Sequence, residues 1–146
     1  VCAGPCNPPV VVDETADIDQ AARDIVTGAS FDNNIICVLE KEIIVVDSVA
    51  DALKAAMLKN GCVELGQWQM KQLERVIFAG QPQPGRAGEV NKTYVGKSPA
   101  FILRQIGLTV EESVKLAVAE VNRDHPLVWT EQLMPVIPLV RVRNAD

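Results

Sequence analysis

The chain has 146 residues, 48% hydrophobic and 23% charged, which is enough for one packed core and unlike a disordered segment. A net charge of -5 and a pI near 4.9, with no local cluster of Lys and Arg, exclude a nucleic acid or an anionic membrane as the expected partner. No run reaches the apolar length of a spanning helix and the first residues lack the plan of an export signal, so a cytoplasmic protein is expected.

Val1 to Pro9 holds Gly4, Pro5, Pro8 and Pro9 and reads as a loop, and Val10-Val11-Val12 reads as a short buried strand. Asp17 can cap a helix with Gln20 as capping-box partner, and Ile18, Ala21, Ala22, Ile25 and Val26 recur at helical spacing. That helix ends at Gly28 or runs on to about Phe31. Asp32, Asn33 and Asn34 then favour irregular backbone, and Cys37 stands shortly before Ile43 to Val46, a second buried strand. Ser48 with Asp51 predicts a capping box for a helix that turns Leu53, Ala56 and Met57 inward and closes at Gly61. Strand, helix, strand, helix is the βαβ pattern, which implies an α/β domain with parallel strands and helices packed on the sheet.

A further helix from about Gln67 to Phe78 carries Met70, Leu73 and Ile77 on one side and ends at Gly80, with Trp68 read as a core or rim aromatic. Gln81 to Lys97, with prolines and glycines and no periodicity, is a long surface loop. Ser98 caps a short helix with Pro99 at its first position and Gly107 past its end. Strands at about Leu116 to Val121 and Val136 to Val142 finish the chain. Pro138 cannot donate to a ladder, which predicts an edge position or a bulge for the last strand.

Cys2, Cys6, Cys37 and Cys62 are expected as reduced thiols, given the size of the core and the absence of an export signal. Cys2 and Cys6 are four apart, which is not the C-x-x-C spacing of a metal or redox pair, and no metal site is expected. A nucleophilic Cys37 needs an electropositive setting such as free backbone N–H groups, which Asn33 and Asn34 favour. Ile35 and Ile36 equally suit an inert apolar filler, and the residues alone leave both open. His125, the sole histidine, lies in the polar turn Asp124-His125-Pro126, where an exposed side chain is expected; a Cys–His hydrolase would need it beside Cys37. Glu131 enters the last strand, where a carboxylate binds a ribose hydroxyl or is simply solvated. Asp13, Glu14, Asp17 and Asp19 surround a helix start, where the dipole favours negative charge. No G-x-G-x-x-G follows a strand.

Asn7 to Asp17, Gly28 to Cys37, Glu42 to Ala52, and His125-Pro126 with Thr130 to Val142 together resemble the coenzyme-A-acylating branch of the aldehyde dehydrogenase superfamily, the propionaldehyde and acetaldehyde dehydrogenases of bacterial microcompartments. The resemblance spans essentially the whole chain. It implies a three-layer αβα sandwich with a mostly parallel sheet, as in the catalytic domain of that superfamily. It implies that Cys37 is the nucleophile and, through its backbone N–H, an oxyanion donor. A short aldehyde is oxidised with NAD, and the resulting thioester is released to coenzyme A. Glu131 matches a nicotinamide-ribose contact, and the asparagine that completes the family's oxyanion hole lies upstream of any residue here. Hydrolytic relatives carry a Glu-Leu-Gly-Gly block whose glutamate activates water. Here Cys2-Ala3-Gly4-Pro5-Cys6 has no carboxylate, which disfavours water against an incoming thiol, and Cys6 stands where this branch has a glycine.

Family members are several times longer, so residues 1–146 are expected to be the thiol-bearing catalytic domain or a fragment of it, without the nucleotide-binding domain and inactive alone. The full-length enzyme would be a homo-oligomer, placed in the cytoplasm or inside a microcompartment. The alternative is a non-enzymatic degenerate or excised α/β domain in which Cys37 is inert.

Overall fold

Five strands form one sheet: β1 (Pro9–Val12), β2 (Glu42–Val46), β3 (Cys62–Glu64), β4 (Leu116–Glu120) and β5 (Val136–Val142). Their order is β1-β2-β5-β4-β3 and every pairing is parallel. The structure is a computed structural model and describes residues 6–145; the expectations placed on Cys2, Ala3, Gly4 and Pro5 lie outside the described residues. Helices α1 (Ile18–Ser30) and α2 (Asp47–Lys59) cover one face of the sheet, and α3 (Gln67–Ile77) and α4 (Pro99–Arg104) cover the other. The α/β sandwich expected from the sequence is therefore present.

Strand alternation divides the core into two. Ile43, Val45, Leu116, Val118, Ile137 and Leu139 pack under α1 and α2. Ala117, Ala119, Val121, Val136 and Val140 pack against Leu73 and Ile77 of α3 and Ile102 and Leu103 of α4. Strands buried on both faces read as continuous apolar runs, which is why Ile43–Val46 and Leu116–Ala119 show no polar interruption. The second core takes no residue from β1 or β2. There Val11 is 59% exposed, and Asn7, Ile44, Val128, Trp129 and Val142 line an open groove of about 490 Å³.

Local details depart from expectation for identifiable reasons. The Asp17 carboxylate accepts from the Gln20 N–H at 3.0 Å, but the Gln20 amide donates to Asp24 instead of returning to Asp17, so only half of the box forms. Gly28 does not end α1. The helix runs to Ser30, and the missing Cβ of Gly28 admits Glu40, whose Oε2 would lie 2.3 Å from a Cβ there. Ser48 caps nothing: α2 starts at Asp47 directly off β2, and Asp51 accepts from Arg141 at 2.6 Å. Strand β3 was not expected because it is three residues long and begins at once after Gly61, whose φ of 98° turns the chain out of α2. Trp68 is 70% exposed on the outer side of α3.

Pro138 lies in the central strand, opposite Ala119, and not at an edge. The Val121 N–H donates to the Leu139 carbonyl at 2.9 Å, so Leu139 faces β4 and the Pro138 nitrogen faces β2. The Lys41 carbonyl on that side accepts instead from the Gln132 amide at 3.0 Å, which also donates to the Val136 carbonyl at 3.1 Å. A side chain thus stands in for the absent ladder donor. Among the described residues no helix is long and apolar enough to cross a membrane.

Candidate active site

The thiol loop begins where α1 ends. Asp32, Asn33 and Asn34 have φ of 46°, 52° and 60°, three left-handed residues in succession. Among residues with a Cβ, Asn and Asp tolerate this region best, so the Asp-Asn-Asn run is what allows the chain to reverse here. The 3-10 segment Phe31–Asn34 then releases the chain through Ile35 and Ile36 to Cys37.

Side chains hold this reversal from inside. Asn34, 1% exposed, donates from Nδ2 to the Ala29 carbonyl at 2.7 Å and the Glu40 carbonyl at 3.0 Å, tying the end of α1 to the approach to β2. Asn33 donates to the Gly96 carbonyl at 3.1 Å, and the Gly96 N–H donates to the Leu133 carbonyl at 2.9 Å. Two distant loops, at Gly96 and Leu133, are therefore linked to the thiol loop. Gly96 has φ of 68°, and a Cβ there would sit 3.0 Å from Ile35 Cδ1.

Lys41 is the buried charge of this region. It is fully enclosed, and its ammonium donates to the Asn34 carbonyl at 2.9 Å, to the Ile36 carbonyl at 3.0 Å and to Asn34 Oδ1. Three donors meet three oxygens, which is the condition under which a buried ammonium is tolerated. Burial lowers its pKa from the ordinary lysine value, while the charges of Glu131, Cys37 and Glu40 work in the opposite direction. Two residues singled out in the sequence, Cys37 and Glu131, thus act electrostatically on one buried cation.

Cys37 is exposed at the crest of the loop, and Ile35, Ile36 and Val38, all exposed, form an apolar collar beside it. Its backbone N–H makes no hydrogen bond to the other described residues. Glu131 is half-buried, and its carboxylate accepts no hydrogen bond from the described residues. Cys62 is the contrasting thiol: burial against the first core pushes its pKa up to about 12 and holds it protonated.

His125 is not brought to Cys37, nor is it exposed as expected. Its side chain is 13% exposed, Nε2 pairs with Glu74 Oε1 at 2.7 Å, and Nδ1 accepts from the Leu127 N–H at 3.2 Å. Both ring nitrogens are engaged, so neither is available as a base for a thiol. The first-turn carboxylates Asp17 and Asp19 serve α1 as expected. Among the described residues no group of three or more His, Cys, Asp or Glu is arranged to hold a metal.

A larger cavity, about 560 Å³, lies at the carboxyl edge of the sheet and is lined by Gln67, Glu120, Arg123 and Arg141. Its charged groups are already spent on one another: Arg141 binds Glu120, Asp47 and Asp51, and Lys54 binds Glu120 and Glu64. No nucleophile points to it, so the thiol at the opposite, amino edge is the stronger candidate.

Lys41, Gln132 and Gly96 were missed by sequence reasoning, and Asn34 is read there for its backbone and not for its buried side chain. Glu40-Lys41-Glu42 looks like a solvated charge trio. The available signal was that Lys41 falls in phase with Ile43 and Val45, both fully buried.

No family model matches the chain. Acetaldehyde dehydrogenase (acetylating) of Bilophila wadsworthia is 51% identical over 150 residues, which cover 100% of this chain and 31% of that protein. Propanal dehydrogenase (CoA-propanoylating) of Salmonella typhimurium is 44% identical over 99% of this chain and 30% of its own length. Among solved structures, the propionaldehyde dehydrogenase of Rhodopseudomonas palustris with bound CoA and an acylated cysteine matches at a TM-score of 0.89 and 46% identity, over 97% of this chain and 31% of that one. An engineered glycolyl-CoA reductase with bound NADP+ matches at 0.89 and 46%, over 99% and 32%. A propionaldehyde dehydrogenase from the fucose-utilisation bacterial microcompartment of Clostridium phytofermentans matches at 0.89 and 36%, over 97% and 31%. The chain spans about a third of the length of the relatives it matches. Along its whole length the chain is thus similar to about a third of the length of acetylating and propanoylating aldehyde dehydrogenases, and alike in fold to the matching part of their solved relatives.

Proposed function

We propose that residues 1–146 act as the thiol-bearing catalytic domain of an enzyme that converts a short aldehyde to an acyl-CoA, with Cys37 as the nucleophile. The observation that carries this is the thiol itself: an exposed cysteine with a free backbone N–H, on a left-handed loop built around a buried ammonium. The Cys37 sulfur adds to the aldehyde carbon, and the carbonyl π pair moves onto oxygen beside the Cys37 N–H. For the thiohemiacetal carbon to become a thioester it must lose a hydride, and a nicotinamide dinucleotide, when bound, would supply the acceptor. The thiol of coenzyme A then takes the acyl group and returns Cys37 to its thiol form.

The residues present fit that dinucleotide in one place. Glu131, half-buried and with no hydrogen bond to its carboxylate among the described residues, can accept from ribose hydroxyls. No glycine-rich phosphate loop accompanies it, so the pyrophosphate must be held by residues outside this segment. CoA with an acylated cysteine in one relative and NADP+ in another support the assignment of both co-substrates. The microcompartment relative supports the same compartment for this protein, with other domains and further copies of the chain completing the enzyme.

The test is acyl exchange. The chain is incubated with propionyl-CoA, and the modified peptide is located by mass spectrometry. Propionylation of Cys37 that is reversed by free coenzyme A faster than by water is expected. An unmodified Cys37, or propionylation confined to other cysteines, would overturn the proposal. NAD-dependent aldehyde oxidation by the 146 residues alone is not expected.

A further inference from the structure

We infer that Lys41 is the positioning residue of the thiol loop: by drawing the Ile36 carbonyl inward, its ammonium turns the Cys37 N–H outward as an oxyanion donor. This rests on Cys37 being the nucleophile. The geometry follows from one peptide plane. The Ile36–Cys37 bond is trans, as are all peptide bonds among the described residues, so the Ile36 C=O and the Cys37 N–H point in opposite directions. The Ile36 carbonyl accepts from Lys41 Nζ at 3.0 Å, inside the loop. The Cys37 N–H is therefore directed away from Lys41, on the side where the loop meets solvent and the thiol is exposed, and it has no acceptor among the described residues. Apart from Lys41, the only donor to the Ile36 carbonyl among the described residues is the Leu39 N–H at 3.3 Å, a longer and neutral bond.

The same ammonium fixes the residues that lead into this peptide. It binds both oxygens of Asn34, the third left-handed residue, whose amide is anchored to Ala29 and Glu40. Without the cation, the Asn34 and Ile36 carbonyls would be left inside the loop with fewer donors than acceptors, and rotation of the 36–37 peptide toward water would relieve this. That rotation removes the N–H from the face where the oxyanion forms. Lys41 touches no reacting atom in this scheme; it acts through the backbone of Cys37.

The experiment acylates Cys37 with S-phenyl thioacetate carrying a 13C carbonyl and reads the thioester C=O stretch by infrared difference spectroscopy. It also reads the Cys37 amide proton by NMR, in the unsubstituted chain and in Lys41→Met. In the unsubstituted chain, a stretch lowered from that of the same thioester in urea is expected, with a downfield shift of the Cys37 amide on acylation. In Lys41→Met the stretch is expected to return to the unfolded value and the acylation rate to fall roughly a hundredfold. A stabilising role alone would leave the stretch unchanged. An identical stretch and rate in folded Lys41→Met would overturn the inference while leaving the nucleophile in place, and no acylation of Cys37 at all would overturn the nucleophile and the inference together. If Lys41→Met does not fold, the unsubstituted chain still decides: a thioester indistinguishable from the unfolded one, with an unmoved amide, refutes it.

Discussion

Glu42 opens β2 at 8% exposure, its carboxylate accepting from Asn7 Nδ2, with Ile44, Val128, Trp129 and Val140 around it. Burial raises its pKa from 4.5 to about 7, against the opposing pull of the Asn7 hydrogen bond. The folded chain therefore holds this proton more tightly than the unfolded chain. Stability is fully present below about pH 4.5, falls as the unfolded carboxyl ionises alone, and is fully reduced above about pH 7. At about 1.4 kcal/mol per pH unit across that window the loss is at most about 3.5 kcal/mol, and water in the open groove brings it down. Glu42→Gln keeps an oxygen for Asn7 and removes the titration. Urea unfolding from pH 4 to 8.5 is expected to show Glu42→Gln within error of the parent at pH 4 and more stable by about 1–3 kcal/mol at pH 8. Glu120, whose pKa is lowered first by its Arg141 hydrogen bond, loses stability in the acid direction in both chains, so it cancels in the difference. A difference that does not change with pH would refute the placement of this carboxyl.

Gln132→Leu orphans the Lys41 and Val136 carbonyls and is expected to cost about 2–3 kcal/mol. Pro138→Val restores an N–H facing Lys41, so it should recover part of that loss only in the Gln132→Leu background; strictly additive effects in a urea double-mutant cycle would show that Gln132 does not replace the proline's missing donor. Gly96→Ala forces a Cβ into a left-handed residue against Ile35, and about 1 kcal/mol of destabilisation with a several-fold change in the iodoacetamide rate of Cys37 is expected. An unaltered rate would separate Gly96 from the thiol loop. At pH 8 the same reagent should spare Cys62 until urea unfolds the chain, whereas native labelling of Cys62 at the rate of Cys37 would contradict its burial.

The parts of the molecule legible in the sequence are those set by local period. Ile43–Val46 and Leu116–Glu120 declare buried strands, the spacing of Ala22, Ile25 and Val26 declares a helix face, and Ser98-Pro99 declares a helix start. Features set by partners far along the chain were not legible. Pro138 belongs at an edge by its own chemistry and sits in the centre because Gln132 reaches the Lys41 carbonyl. His125 looks exposed in its turn and is largely covered because Glu74, 51 residues away, meets its ring. At the site, the sequence pointed to Cys37 and Glu131, yet the buried cation of the thiol loop was hidden in a charged triplet whose middle member turns inward with Ile43 and Val45.

The closure of the thiol loop by Lys41 has a consequence for oxidation chemistry. Short reversals of this kind are often fixed covalently by a disulfide or by a chelated metal. Either device would place a second thiol, or a thiophilic ion, within reach of Cys37, and its sulfur would be drawn into exchange or coordination. An ammonium bound to carbonyl and amide oxygens clamps the same few residues without electron transfer. The loop therefore keeps its shape whether its surroundings are oxidising or reducing, and the clamp itself does not engage the exposed Cys37 sulfur.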